Sequence, residues 1–365
     1  MKVNLKKALN KKRIFAFLVV LIAAVVMLIS NPEVWEFFSK NDNIKLNFQT
    51  GIEYDMVPYE KDMLLVNNEG IYAIDKSGRE AWSAVMPATS PYVSVNGGYI
   101  MLADINGKAI TTFQKERIVT QIETENEILS AKMNKNGYIA VATDELGYKG
   151  MVTLYNKNGN ELFKWHSGAG YIGDIEISDD NKLMVAQLMA DKEKIYSKII
   201  IINPKSKDEP ECISEIDGVV MKLKCRDNGS LVVVSDNAFY GFKRSGKQSF
   251  KVDFEGRTLE KCNLENERNM VLAFDSGLNS TVLESYSANG RKRGSFDGKS
   301  EIRAIDVNGE CIVAAKHDGI FKINPRGEVK KEIKANNDVK DIKIFSNRNI
   351  IMSLGGNSAE LIKIR

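Results

Sequence analysis

The chain has 365 residues, with 51 Lys and Arg against 48 Asp and Glu, a formal net charge of +3, and 43% hydrophobic against 27% charged side chains. That balance argues against disorder, collagen and a multi-span membrane protein. Seven Pro and four Cys argue against a Pro-rich linker and a disulfide scaffold, and the length suits one large domain or two ordinary ones.

Residues 1–13 carry Lys2, Lys6, Lys7, Lys11, Lys12 and Arg13 and no acid, so this tail alone is +6 and the remainder is −3. Beyond Arg13 the two signs interleave almost everywhere, whereas a phosphate-binding face needs clustered cations. No nucleic-acid binding is expected of the body.

From Ile14 to Ile29 the chain reads IFAFLVVLIAAVVMLI, and no charge falls between Ile14 and Pro32. As a helix this stretch covers roughly 28 Å, close to the hydrocarbon thickness of a bilayer. Trp35, Phe37 and Phe38 follow where aromatics settle at headgroup level, and the six cations hold the N-terminus in the cytoplasm. The expectation is a basic cytoplasmic tail (1–13), a transmembrane helix (14–30), a juxtamembrane linker (31–43) and an extracytoplasmic body (44–365). A cleaved signal peptide is the alternative, but small residues at −3 and −1 are missing where Leu28, Ile29 and Ser30 precede Asn31. An uncleaved anchor is favoured.

From Ile44 onward, short alternating or apolar runs are separated by Asn, Asp, Gly and Lys turns, which reads as all-β. One unit recurs: a strand, a polar turn, and a second strand rich in Val, Ile, Leu and Ala. It is clearest before YIAVAT at Gly137, KLMVAQ at Asn181, SLVVVS at Gly229, ECIVAA at Gly309 and IIMSL at Arg348; weaker copies centre on Lys61, Gly97 and Arg268. These eight markers recur at a mean interval of 41 residues. A second turn ends in Gly78, Gly159, Gly246, Gly290 and Gly327, with Asp75, Asn156, Lys243, Ser287 or Asn324 three positions before. Four strands per repeat of about 40 residues is the arithmetic of a propeller blade.

The last copy has three strands, ending with AELIKI at Ala359 to Ile364, while Ile44 to Gln49 alternates apolar and polar residues ahead of the first complete copy. It can supply the missing outer strand and close the ring. The expectation is an eight-bladed β-propeller, with seven as the alternative count.

Ala73 to Trp82 (AIDKSGREAW) resembles the PQQ-like repeat consensus, in which a Gly-Lys-Glu turn leads to a Trp that docks on the next blade; Tyr155 to Phe163 resembles it with a shorter turn. With its N-terminal anchor, the chain is similar to single-pass PQQ-like propeller proteins of Gram-positive anaerobes, a resemblance that implies a fold and no activity. Quinoprotein dehydrogenases use a vicinal Cys pair, a Trp floor and acidic or amide Ca²⁺ ligands. Here Cys212, Cys225, Cys262 and Cys311 are isolated, so no PQQ or other cofactor is expected.

Other chemical motifs lack their context. Gly168, Gly170 and Gly173 match G-x-G-x-x-G, but DIEIS after them is a strand rather than a helix N-terminus, so a blade-linking loop is the reading. Gly298-Lys-Ser300 lacks the earlier P-loop glycine, Arg293 standing there instead. His166 and His317 are the only histidines, and Asp179-Asp-Asn181 lacks Ca²⁺-loop spacing and serves as a hairpin turn; no metal site or triad is expected. Cys225 and Cys262 form the least implausible disulfide pair, and buried free thiols are the favoured state. Asn228 and Asn279 begin glycosylation sequons, relevant only in a eukaryotic secretory pathway.

Aligning the inner strands places Ser130, Asp174, Lys222, Lys261 and Asp341 at equivalent positions near the axis. They form a mixed-charge channel mouth able to bind a polar ligand or peptide. Inter-blade salt bridges and hydrogen bonds that fill the channel are the favoured reading. The leading functional expectation is a non-catalytic, membrane-tethered scaffold for an envelope protein partner, comparable in architecture to the PQQ-like propeller of the outer-membrane assembly lipoprotein. The alternative is an envelope glycan hydrolase or lyase using acidic residues on one face. A carboxylate pair with one raised pKa would favour the enzyme, and an exposed apolar patch the scaffold.

Overall fold

The computed structural model describes residues 43–48, 52–192, 194–317, 319–334 and 338–364. The expected tail, transmembrane helix and linker lie outside these residues, apart from Asn43. Among the described residues no helix is long and apolar enough to cross a membrane.

The body is an eight-bladed β-propeller, as the repeat arithmetic predicts: eight antiparallel four-stranded sheets, each built from strands consecutive in sequence except one. Blades 1 to 7 occupy residues 55–85, 91–123, 128–166, 171–217, 220–253, 259–297 and 302–333. Blade 8 takes three strands from 341–363 and its outer strand, Ile44–Asn47, from the start of the chain. That strand pairs antiparallel with Ser358–Lys363, Ile44 facing Leu361 and Asn47 facing Ser358. Phe48 stacks on Tyr54 at 4.5 Å just beyond it, so the alternating IKLN segment latches the ring.

The second strand of each blade is buried on both faces, which is why it reads as an uninterrupted apolar run rather than an alternating one. In blade 3, Ile139 and Val141 pack toward blade 2 while Ala140 and Ala142 pack toward blade 4. The core is therefore eight apolar seams, one between each pair of neighbouring blades, including the blade 8 to blade 1 seam of Met56, Met63, Phe345, Met352 and Leu361. Trp82 and Trp165, both on outer strands, fill the seams toward blades 2 and 4.

The five turn glycines between third and fourth strands all adopt positive φ, from +76° at Gly78 to +84° at Gly327. A packing reason adds to the conformational one, because these turns lie against the preceding blade. Gly159 faces Thr120, Gly246 faces Ile213, Gly290 faces Phe250, and Gly78 faces Ile44 of the closing strand. In the other turn, between first and second strands, Asn181 and Arg348 hold positive φ where other blades place Gly137, Gly229 and Gly309. All four cysteines are free; Cys212 is exposed, against the expectation of burial, because it lies on the outer strand of blade 4.

Candidate functional site

Inner strands begin at one face of the propeller, which also carries the hairpins joining second to third strands. In blades 3 to 7 a β-bulge falls near the start of the inner strand, at Leu129, Gly173, Met221, Glu260 and Arg303. Bulges re-aim the side chains that follow them. Ser130, Asp174, Lys222 and Lys261 sit directly after bulges, opposite Ala142, Ala186, Val234 and Ala273; Asp341 takes the equivalent place opposite Leu354. Asp55, Tyr92 and Ala304 complete this ring by the same register.

The structure does not bring the five predicted residues into one pocket. Asp174 joins neighbouring blades: its carboxylate accepts the backbone N–H of Ile175 at 2.9 Å and of Leu223, in the next blade, at 2.8 Å. Lys222 donates to Glu265 at 3.3 Å, Asp341 pairs with Lys343 at 3.3 Å, and Lys261 is exposed on the rim. Ser130 is half-buried.

A channel cavity of about 390 Å³ opens instead one step deeper, among side chains two residues further along the same strands. Val57, Ser94, Lys132, Glu176, Lys224, Asn263, Asp306 and Lys343 occupy that second ring, with Glu265 below it. Period-two alternation explains the relation, because residues i and i+2 on an inner strand share one face. The signal for Lys132, Glu176 and Lys224 was thus present in the sequence beside Ser130, Asp174 and Lys222.

Glu265 receives both Lys222 and Lys224, the latter at 2.5 Å. Its position in the channel opposes ionisation, but the two ammonium groups prevail and hold its carboxyl at about 2, with 55% of the side chain still accessible. Lys224 is likewise opposed by burial yet held above its ordinary range by Glu265 and Glu176. Asp306 is pushed up by burial against the opposing pull of Lys343, and accepts Asn263 Nδ2 at 3.2 Å and the Ile344 N–H of blade 8 at 2.7 Å. Glu176 is 8% exposed, and burial raises its carboxyl to about 7. Cys225, on the same wall, is pushed by burial to about 12, an inert thiol.

A second cleft, about 830 Å³, lies where the ring closes, lined by Glu53, Asp55, Asn68, Ser90, Lys340 and Asp341 among others. Asp55 is raised there, first by burial and then by the charge of Asp341. Among the described residues no three metal-ligating side chains converge.

The face bearing the hairpins exposes several large apolar side chains over blades 3 to 5. Leu129, Leu146, Tyr148, Tyr171, Ile195 and Met221 are all exposed on it. Tyr148 stacks on His166 at 4.6 Å, and Lys149 donates to the Tyr171 hydroxyl at 3.1 Å across the blade boundary. Sequence reasoning missed this surface, because apart from Leu146 and Tyr148, which share one hairpin, the residues are scattered over separate strands.

Residues 39–364 match the family described as "Family of unknown function (DUF5711)". The chain belongs to that family. No curated protein matches the chain. Solved structures similar to this family member are propellers. BamB from Moraxella catarrhalis is 11% identical, with 88% of this chain and 98% of that chain covered and a TM-score of 0.55. The C-terminal WD40 domain of Sif2 is 13% identical, with 88% and 99% covered and a TM-score of 0.63. The computationally designed Ika8 protein is 11% identical, with 87% and 98% covered and a TM-score of 0.64. At these identities the likeness is one of fold.

Proposed function

We propose that this protein is a membrane-tethered extracytoplasmic propeller that binds a protein partner and acts as a scaffold in the cell envelope. The observation that carries the reading is the apolar hairpin face of blades 3 to 5, where adjacent blades expose Leu129, Tyr171 and Met221. Exposed apolar surface gathered on one face is the usual mark of a protein interaction site. The basic tail and the uncharged stretch from Ile14 to Pro32 support the tether. Proximity labelling from the propeller in cells, against an anchor-only control of residues 1–42, tests both parts. The expected result is a reproducible set of envelope neighbours that disappears in the triple variant Leu129→Asp, Tyr171→Asp, Met221→Asp while the thermal melt stays cooperative. Cytoplasmic neighbours would sink the topology, and neighbours retained by the triple variant would sink the face.

The raised carboxyl of Asp55 beside Asp341 in the closure cleft favours a second reading, an envelope glycan hydrolase or lyase with Asp55 as the acid. Release of soluble fragments from cell-wall glycan by the wild type, lost in Asp55→Asn, is the result this reading requires.

A further inference from the structure

Four acids along the channel have partners. Asp174 faces Lys132 at 3.9 Å, Glu265 takes Lys222 and Lys224, Asp341 takes Lys343, and Asp306 is satisfied by Asn263 and the Ile344 N–H. Glu176 lines the same cavity and is more than nine-tenths buried. Among the described residues it has no side-chain hydrogen bond, and no ammonium lies within 4 Å of its carboxylate. Lys224 and Lys132 act on it only at longer range, and Glu265 and Asp174 oppose its charge.

We propose that Glu176 receives a cationic hydrogen-bond donor from outside the chain, an ammonium or guanidinium group carried by a small amine or by a Lys or Arg side chain. The missing element is a donor, because a buried carboxylate accepts hydrogen bonds and pays a large penalty when none is offered. It is a cation, because Asp174, Glu265 and Asp341 are each matched with ammonium groups and Lys222, Lys224, Lys132 and Lys343 are already engaged. A cavity of about 390 Å³ has room for one such group with a short aliphatic stem, and Tyr92 at the mouth, already 5.5 Å from Lys132 by ring centroid, offers an aromatic face. The inference does not rest on the apolar side chains of the hairpin face, none of which lines the cavity.

Pairing requires the ionised carboxylate, and Glu176 loses its proton near pH 7. Affinity for a cation therefore rises with pH, by about tenfold from pH 6 to pH 8. Lys132 and Lys224, both held above their ordinary range by neighbouring acids, stay charged across that window.

Isothermal titration of the full-length chain with agmatine, and separately with the capped tripeptide acetyl-Gly-Arg-Gly-amide, tests the proposal. Agmatine binding that strengthens about tenfold from pH 6 to pH 8, falls at least tenfold in Glu176→Gln and is unchanged in the rim variant Lys261→Gln assigns the site to a small amine. The same pattern with the tripeptide alone assigns it to a partner's side chain. Failure of both ligands to bind overturns the proposal. So does a flat pH profile in the wild type, which needs no variant to fold, or binding that survives in Glu176→Gln.

Discussion

The paired substitution Ile44→Asp, Leu46→Asp is expected to unlatch the propeller. Both side chains are partly buried in the seam between blades 8 and 1, beside Met56, Phe345 and Leu361. Their loss removes about 3 kcal/mol of apolar burial, and two charges set against that seam bring the total to about 5 kcal/mol. Ser358–Lys363 then becomes a bare edge, since Ile44–Asn47 is its only partner on that side. An edge of that kind recruits strands from other chains. Thermal melting should drop by about 5–10 °C, and light scattering should show mass rising with protein concentration. An unchanged melt with unchanged mass would mean that the ring stays closed without its first strand.

Gly327→Ala is the second large effect. Gly327 holds φ +84°, where a side chain costs about 1–2 kcal/mol, and a Cβ there would run into the Ser295 carbonyl of blade 6. The obstacle is backbone and cannot rotate away, so the turn must lift off the seam, at a further cost of about 2 kcal/mol. A loss of about 3–4 kcal/mol is expected by chemical denaturation. Gly98→Ala is the comparison: its φ is +81°, but nothing lies within 4 Å of an added Cβ, so only the conformational cost of about 1–2 kcal/mol applies. Equal losses in the two variants would refute the docking of this turn on its neighbour.

Blade number and ring closure were legible because they depend on local, periodic signals. Turn glycines recur where positive φ is needed, and the doubly buried second strand of each blade is a continuous apolar run in at least five copies. The unpaired Ile44–Asn47 strand announced itself by arithmetic, three strands at one end and one at the other. The channel was half legible. Alignment of inner strands found the ring of Ser130, Asp174, Lys222, Lys261 and Asp341 but stopped one ring above the cavity, although the residues two positions on share the same face.

The list of strands, their order, and which residues share a strand face are legible along the chain, because each follows from turn chemistry and a period of two. Which charges find a partner depends on how one blade packs against the next. Asp174 and Glu176 are indistinguishable on one alternating strand, yet the first bonds to the N–H of Leu223 in the next blade and the second faces an open cavity. The difference arises between blades, from bulges and seam geometry that bring residues about 50 positions apart within hydrogen-bond distance. The apolar hairpin face has the same origin, since Leu129, Tyr171 and Met221 are isolated along the chain and become neighbours in orientation only when the ring closes.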